Sequence, residues 1–276
     1  MEAALDPRQS REHRFGLPVS RWESLYGRSY WITGAATGFG HAVSAAVAAA
    51  GAHAFLTGRR KEKLQESVSL IDSYGIPTDR CHIVPSDVRD ESAIAEAVKA
   101  ILSRTSALHG IVNSAALPPR TAFSYPLAEE SLDYWDEIMA VNVRGPWLAT
   151  RMALRYMLEH GSARALFLSS AAGWSFASGF GQYNISKAAL NSLAACLAEE
   201  YARHYPDADV QINVLDPGQA RTEMNAGSDR SPFGIAHIAL TLLSHPRGGP
   251  NGKFFHQDGR YLNFCSTPPY ERPLLS

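Results

Sequence analysis

Ser170 stands thirteen residues before Tyr183, and Lys187 four residues after it, within SSAAGWSFASGFGQYNISKAAL. Residues four apart share one face of a helix, so a helix over residues 182–205 sets the Lys187 ammonium beside the Tyr183 phenol. A neighbouring positive charge favours tyrosinate and lowers a phenol's pKa from about 10. The pair is then able to hand over and recover a proton near neutral pH. Ser170 closes the apolar run 165–169, a buried strand whose end aims a hydroxyl at that phenol. Taken alone, a Y-x-x-x-K pattern is better explained as an exposed pair behind a Ser-rich turn, because so short a pattern arises by chance. The elements around it decide.

Short apolar runs alternate with longer helical ones. Strands are expected over residues 30–32, 52–57, 82–84, 110–113, 164–169, 210–214 and 253–255. Helices are expected over 41–50, 61–74, 91–104, 131–160, 182–205 and 233–244, with Ile94, Val98 and Ile101 at helical spacing in the third of them. This alternation predicts an α/β chain with right-handed crossovers, a doubly wound, seven-stranded parallel sheet flanked by helices in a single domain. The expected organisation is an N-terminal extension (1–28), one main domain (29–259) and a C-terminal tail (260–276).

Composition excludes several functions. Over 276 residues, 45% are hydrophobic, enough for a sizeable core. Lys+Arg 26 against Asp+Glu 27 leaves no net charge to attract nucleic acid or an anionic membrane. Cys81, Cys196 and Cys265 are odd in number and far apart, beside apolar segments, which predicts buried free thiols in a reducing compartment. No CxxC or HExxH pattern occurs, so no metal site is expected. Residues 1–28 lack a signal peptide's apolar stretch and no uncharged run reaches membrane-spanning length, so a cytoplasmic protein is expected.

The first strand leads into TGAATGFG (33–40) and then a helix. Glycines at 34, 38 and 40 remove side chains where a backbone must turn tightly and approach a pyrophosphate, and the helix N-terminus offers N–H groups to that anion. The end of the second strand discriminates the cofactor. An acidic residue there binds the adenosine 2′-OH of NAD, but this chain reads Leu56-Thr57-Gly58-Arg59-Arg60. The forked donors of Arg59 match a phosphate, which predicts NADP(H) over NAD(H). Arg60, Lys61 and Lys63 read as the solvated start of the next helix.

With Asp87-Val88 after the third strand, NSAA (113–116), Asn142 in VNVRG, YNISK and DPGQART (216–222), the chain resembles the single-domain short-chain dehydrogenase/reductase family from about residue 29 to 259. The resemblance implies a Rossmann-type fold in which NADPH delivers hydride to a carbonyl, Tyr183 donates the proton, Ser170 hydrogen-bonds the oxygen, Lys187 tunes Tyr183, and Asn142 holds a water linking Lys187 to solvent. Gly34, Thr37, Gly38, Phe39, Gly40 and Arg59 would hold the cofactor's phosphates. Asp87 and Val88 would meet the adenine, and Asn113 and Ala115 the adenosine side. Pro217, Gly218, Ala220 and Thr222 would meet the nicotinamide, with Tyr183 and Lys187 near its ribose. Substrate would touch Ser170, Trp174 and Tyr183, with Phe176, Phe180 and Pro118-Pro119 flanking the mouth. A homodimer or homotetramer would form through helices 131–160 and 182–205, using Leu148, Met152, Leu154, Leu190, Leu193 and Leu197.

Two departures stand out. Ala116 adds a methyl where the family's NNAG has glycine. Residues 223–230 are too short for the usual helical substrate lid. An open cleft predicts a bulky, sugar- or carrier-linked carbonyl substrate, with Arg221, Arg230 and Arg247 as distal contacts. Two alternatives share these features: a nucleotide-sugar epimerase or dehydratase using the same dyad, and a non-catalytic dinucleotide-binding scaffold. The first usually has a larger C-terminal domain and a different glycine spacing, and the second has usually lost Tyr, Lys or Ser.

Overall fold

Each of the seven expected strands forms in the computed structural model, which describes residues 6–119, 127–175 and 179–263. The chain runs α1 (Ser10–His13), α2 (Val19–Glu23), β1 (Ser29–Thr33), α3 (Gly38–Ala49), β2 (His53–Thr57), α4 (Lys61–Ser73) and β3 (Cys81–Ile83). It continues through α5 (Glu91–Leu102), β4 (Gly110–Asn113), α6 (Leu132–Met139), α7 (Gly145–Leu158) and β5 (Ser162–Leu168). The last elements are α8 (Gly181–His204), β6 (Asp209–Asp216), α9 (Ala236–Leu243), β7 (Lys253–His256) and β8 (Tyr261–Asn263).

Strand order is β3-β2-β1-β4-β5-β6-β7-β8. The sequence order reverses between β1 and β4, and a doubly wound sheet opens its ligand crevice outside the strand ends at such a point. The sheet has eight strands, not seven: β8 pairs antiparallel with β7. The turn between them contains Asp258-Gly259, with Gly259 at φ 87°, and such a pair is a hairpin signal.

β1 is buried along its whole length. Because side chains alternate along a strand, Tyr30 and Ile32 face the core under α3, α4 and α9, while Trp31 faces that under α5, α7 and α8. The N-terminal segment belongs to the first layer, where Phe15, Leu17 and Leu25 are buried and Phe15 stacks on Phe233 at 6.0 Å. Arg14 and Phe15 take φ 48° and Gly16 takes 78°, so three consecutive left-handed residues fold this segment onto α9.

Three expectations are corrected. The helix foreseen over 131–160 is broken by a π-helical turn, Ala140–Arg144, between α6 and α7. Pro146 cannot donate to the carbonyl four residues back, that of Asn142, so the regular ladder fails there. Cys196 is exposed on α8, and Cys81, although it packs against the core from β3, is only partly buried; Cys265 lies outside the described residues. Leu148, Leu154, Leu190 and Leu197 are buried within the chain itself, since α7 and α8 both cover the sheet. Among the described residues no helix is long and apolar enough to cross a membrane, and no cluster of His, Cys, Asp or Glu could hold a metal ion.

Candidate active site

β1 ends at Thr33, and the chain must turn at once to start α3. Gly34 makes the turn at φ 65°, and a Cβ there would stand 2.6 Å from the Ala115 nitrogen. A Cβ on Gly40 would stand 2.2 Å from the Gly34 carbonyl oxygen. Both clashes are with backbone, so only glycine lets the loop fold back onto the first turn of α3. Gly38, at φ 56°, faces the Thr222 methyl across the loop. The Thr33 hydroxyl accepts the Ser114 and Ala115 N–H groups at 3.2 and 3.3 Å, joining the ends of β1 and β4.

Outside these ends lies a cleft of about 480 Å³. Its walls carry Gly34, Thr37, Gly38 and Phe39 from the loop, Arg59 from the end of β2, and Asp87, Val88, Ala115 and Thr222. Ala116 is also on the wall, so its added methyl borders the cleft. Gly40, Asn113, Pro217, Gly218 and Ala220 are not. Asn113 is buried beneath, donating from Nδ2 to Thr150 Oγ1 at 2.7 Å, while its Oδ1 finds no partner among the described residues. Gly218 packs on Gln257, and Ala220 is buried.

Gly58 takes no left-handed φ, and a Cβ on it would meet Leu64 Cδ2 at an ordinary 3.5 Å. The backbone therefore does not forbid a side chain at Gly58, the position expected to discriminate the cofactor. Hydrogen bonds from Arg89, with Nη2 at 2.6 Å, hold the Asp87 carboxyl below its usual range against the opposing effect of burial; the Arg59 charge adds a smaller pull. Arg60, expected to be merely solvated, donates to Glu223 at 2.7 Å across the cleft mouth. As an exposed pair it contributes about 0–1 kcal/mol.

Ser170 leaves β5 extended, at φ −166°, and caps the turn Ala171–Gly173 by accepting the Ala172 N–H at 3.1 Å. Gly173 brings this turn against α8: a Cβ there would stand 2.4 Å from Asn191 Nδ2 and 3.0 Å from the Lys187 carbonyl oxygen. Tyr183 is 8% exposed and Lys187 3%. Lys187 Nζ lies 5.5 Å from the Tyr183 ring centroid and donates to the Leu168 carbonyl at 2.9 Å. Burial pushes the Tyr183 phenol up to about 12; a hydrogen bond with Ser170 opposes this, and Asp216 and Tyr134 reinforce it. Burial lowers Lys187 to about 8, with Asp216 opposing. Burial is thus the largest influence on both groups, and for Tyr183 it runs against the acidification expected from Lys187.

Asn142, in the π-helical turn, ties the cleft to α8. Its Oδ1 accepts the Leu117 N–H at 2.7 Å, and its Nδ2 donates to Leu117 O at 3.2 Å and Ser186 Oγ at 3.0 Å. Ser186 donates in turn to the Tyr183 carbonyl at 2.8 Å. Leu117 both lines the cleft and packs against the cluster of Tyr134, Ile138, Ala172 and Tyr183. Sequence reading missed Leu117, Ser186 and Asp216 as supports of the pair. Asp216 opens the DPG motif, but its proximity to Lys187 follows from strand order, not spacing.

Trp174 is half exposed and packs edge-to-face on Phe254 at 5.1 Å. Phe180 packs edge-to-face on Tyr183, and the Pro118 carbonyl accepts from the Tyr134 hydroxyl. Phe176 lies outside the described residues. Arg247 is removed from the distal contacts: it donates to the Asp207 carbonyl, just before β6 and so beyond the opposite ends of the strands from the cleft. Residues 217–231 carry no helix; Arg221 pins this segment through its N–H to Arg230 O and its Nε to Ser228 O.

Known proteins share these features. An uncharacterized oxidoreductase of Staphylococcus aureus (strain MW2) is 28% identical over 221 residues, covering 78% of this chain and 90% of that one. Dehydrogenase/reductase SDR family member 4 of Pongo abelii is 29% identical over 213 residues, covering 75% and 71%. Among solved structures, a short-chain type dehydrogenase/reductase from Mycobacterium ulcerans superposes with a TM-score of 0.75 at 25% identity, covering 84% of this chain and 88% of that one. A chain from Shigella flexneri 2a, described as a short chain dehydrogenase and complexed with NADP, gives 0.75 at 24% identity, covering 86% and 99%. Residues 29–232, from the first strand past the DPGQART motif, match the sequence profile described as short chain dehydrogenase. The chain is thus a member of the short chain dehydrogenase family.

Proposed function

We propose that the chain is an NADP(H)-dependent oxidoreductase that interconverts a carbonyl and a secondary alcohol, with Tyr183 as general acid and base. The observation that carries this reading is the buried Tyr183–Lys187 pair, hydrogen-bonded to Ser170 and joined to the cleft wall through Asn142 and Leu117. When bound, the nicotinamide supplies the hydride. The cleft suits such a cofactor: Gly34 and Gly38 leave bare backbone on its wall, Gly40 lets the loop close behind them, and Arg59 on the same wall would meet the adenosine 2′-phosphate. Asp87, whose carboxylate accepts from the Arg89 N–H, Nε and Nη2, would with Val88 meet the adenine. Thr222 would face the nicotinamide side, with Pro217, Gly218 and Ala220 shaping the segment behind it.

At neutral pH a phenol held near 12 is protonated. Tyr183 is then a proton donor to a carbonyl oxygen, Ser170 hydrogen-bonds that oxygen, and the Lys187 ammonium faces the developing tyrosinate. A protonated phenol is the form that carbonyl reduction uses, and the reverse reaction would need tyrosinate. The helix-free segment 217–231 leaves Trp174 and Met224 exposed, which suits a bulky, sugar- or carrier-linked substrate that binds partly outside the cleft. NADPH consumption with a small ketone and with a large conjugate sharing its reacting group tests both points. A higher kcat/KM for the conjugate is expected. Equal values would overturn the open-cleft reading, and no turnover across a broad carbonyl panel would favour a binding scaffold.

Cofactor choice is testable at Gly58, where the structure has room for a side chain. Gly58→Asp is expected to weaken NADPH binding about tenfold or more, roughly 1.4 kcal/mol, while NADH binding holds or improves. Wild-type protein that binds NADH as tightly as NADPH would remove Arg59 from its role. We also infer a homodimer or homotetramer through the outer faces of α7 and α8, where Trp147 is exposed and Met152 and Leu193 are only partly buried. The free thiols Cys81 and Cys196 suit a reducing cytoplasm.

A further inference from the structure

His41 follows the glycine loop by one residue and has no part in the chemistry above. Its ring is 5% exposed, set edge-on to Tyr74 at 6.0 Å and Phe233 at 6.1 Å. Three hydrogen bonds run in a row through it. Ser67 Oγ donates to the Ala35 carbonyl at 2.9 Å. His41 Nδ1 lies 2.8 Å from Ser67 Oγ, and His41 Nε2 lies 3.4 Å from the Tyr74 hydroxyl.

A hydroxyl has one proton to give. Ser67 gives it to Ala35, so it must accept from His41, which assigns the imidazole proton to Nδ1. Nε2 is then the bare acceptor that receives the Tyr74 hydroxyl. The row runs one way, from Tyr74 to His41 to Ser67 to the Ala35 carbonyl. Burial lowers His41 to about 4, which keeps the neutral ring that this direction requires.

The far end of the row lies in the glycine loop. The Ala35 N–H is fixed to the Thr57 carbonyl at 3.1 Å, and its own carbonyl is fixed by Ser67. No cis peptide occurs among the described residues, and in a planar trans unit the carbonyl and the next N–H point opposite ways. Holding the Ala35 carbonyl toward α4 therefore turns the Ala36 N–H away from α4, toward the cleft that Ala36 lines. We propose that His41 and Ser67 are positioning residues of the dinucleotide site, and that the Tyr74–His41–Ser67 row aims the Ala36 N–H at the cofactor's pyrophosphate. This rests on the dinucleotide reading above. Because both cofactors carry the pyrophosphate, the row acts on NADPH and NADH alike, whereas Arg59 meets only the 2′-phosphate.

The test is titration of NADPH and NADH against wild type, Ser67→Ala, His41→Leu and His41→Gln, with amide exchange of residues 33–40 followed without cofactor. Ser67→Ala is expected to weaken both dinucleotides by the same factor, about 3–10-fold for one hydrogen bond, and to speed exchange at Ala36. Alanine is favourable in a helix, which helps α4 to form in this variant. His41→Leu is expected to show the same loss. His41→Gln keeps a donor toward Ser67 and is expected to bind near wild type, so the pair of His41 variants decides the matter even if Ser67→Ala fails to fold. Unchanged affinities in a folded Ser67→Ala or His41→Leu variant, or a loss confined to NADPH, would overturn the proposal. Wild-type protein that binds neither dinucleotide would sink the cofactor reading itself, a result distinct from these.

Discussion

Tyr183→Phe is expected to fold and to bind cofactor as wild type does, yet to lose turnover by about 10²–10⁴-fold, the worth of a positioned general acid. The substitution removes only the hydroxyl that meets Ser170 and keeps the ring packed against Phe180 and Ala172. The pH profile adds a signature. Lys187 is charged below its folded value of about 8, so carbonyl reduction is expected to fall as pH rises through that point, when the tyrosinate being formed loses its counter-charge. Stability should move the other way. Burial holds Lys187 below its ordinary value of 10.5, so between about 8 and 10.5 the unfolded chain binds the extra proton and stability rises with pH. The total rise is on the order of 3 kcal/mol, and Lys187→Met should abolish it. Denaturant titrations at several pH values and steady-state rates over the same range give both slopes. Retention of most activity by Tyr183→Phe would reduce the pair to a structural contact.

Gly40→Ala is expected to abolish measurable dinucleotide binding and to lower Tm by several degrees. The added Cβ would stand 2.2 Å from the Gly34 carbonyl oxygen and 3.1 Å from Ala35 Cα. Neither neighbour is a side chain that can swing away, so either α3 shifts or the loop opens. Overpacking of this kind costs roughly 1–3 kcal/mol, and loop opening would remove the N–H groups proposed to meet the pyrophosphate. Gly58→Ala is the control, since its Cβ has room. A Gly40→Ala variant with wild-type Tm and affinity would mean that the loop is not the cradle described.

The fold was legible because apolar runs and helical runs alternate without ambiguity, and the glycine loop falls between the first of each. The eighth strand was less legible because Tyr261-Leu262-Asn263 is short, although Asp258-Gly259 announced its turn. The π-helical turn was hidden by a hydrophobic pattern that continues through 131–160, and Pro146 was its one local signal. Tyr183, Lys187 and Ser170 could be found by spacing, but the phenol's raised pKa could not. It depends on burial by Leu117, Tyr134, Ile138, Ala172 and Phe180, which come from four separate stretches of the chain. The His41 row escaped for a similar reason: its partners lie 26 and 33 residues away. Arg247 looked available because its charge was visible and its end of the sheet was not.

The left-handed turn at Arg14–Gly16 also bears on how the protein is made. The segment it folds is held by Arg21, which donates to the Thr241 carbonyl and to Ser244 Oγ, and by the Phe15 carbonyl at 2.9 Å from His237 Nδ1. These partners lie 220 or more residues further along the chain. At roughly 5–20 residues per second, a ribosome needs roughly 10–45 s to make them after the segment itself. The segment is therefore made well before these partners, and the stacking of Phe15 on Phe233 must wait for them. Aggregation during synthesis, rather than weakness of the finished fold, is where substitutions in residues 6–28 should first be felt.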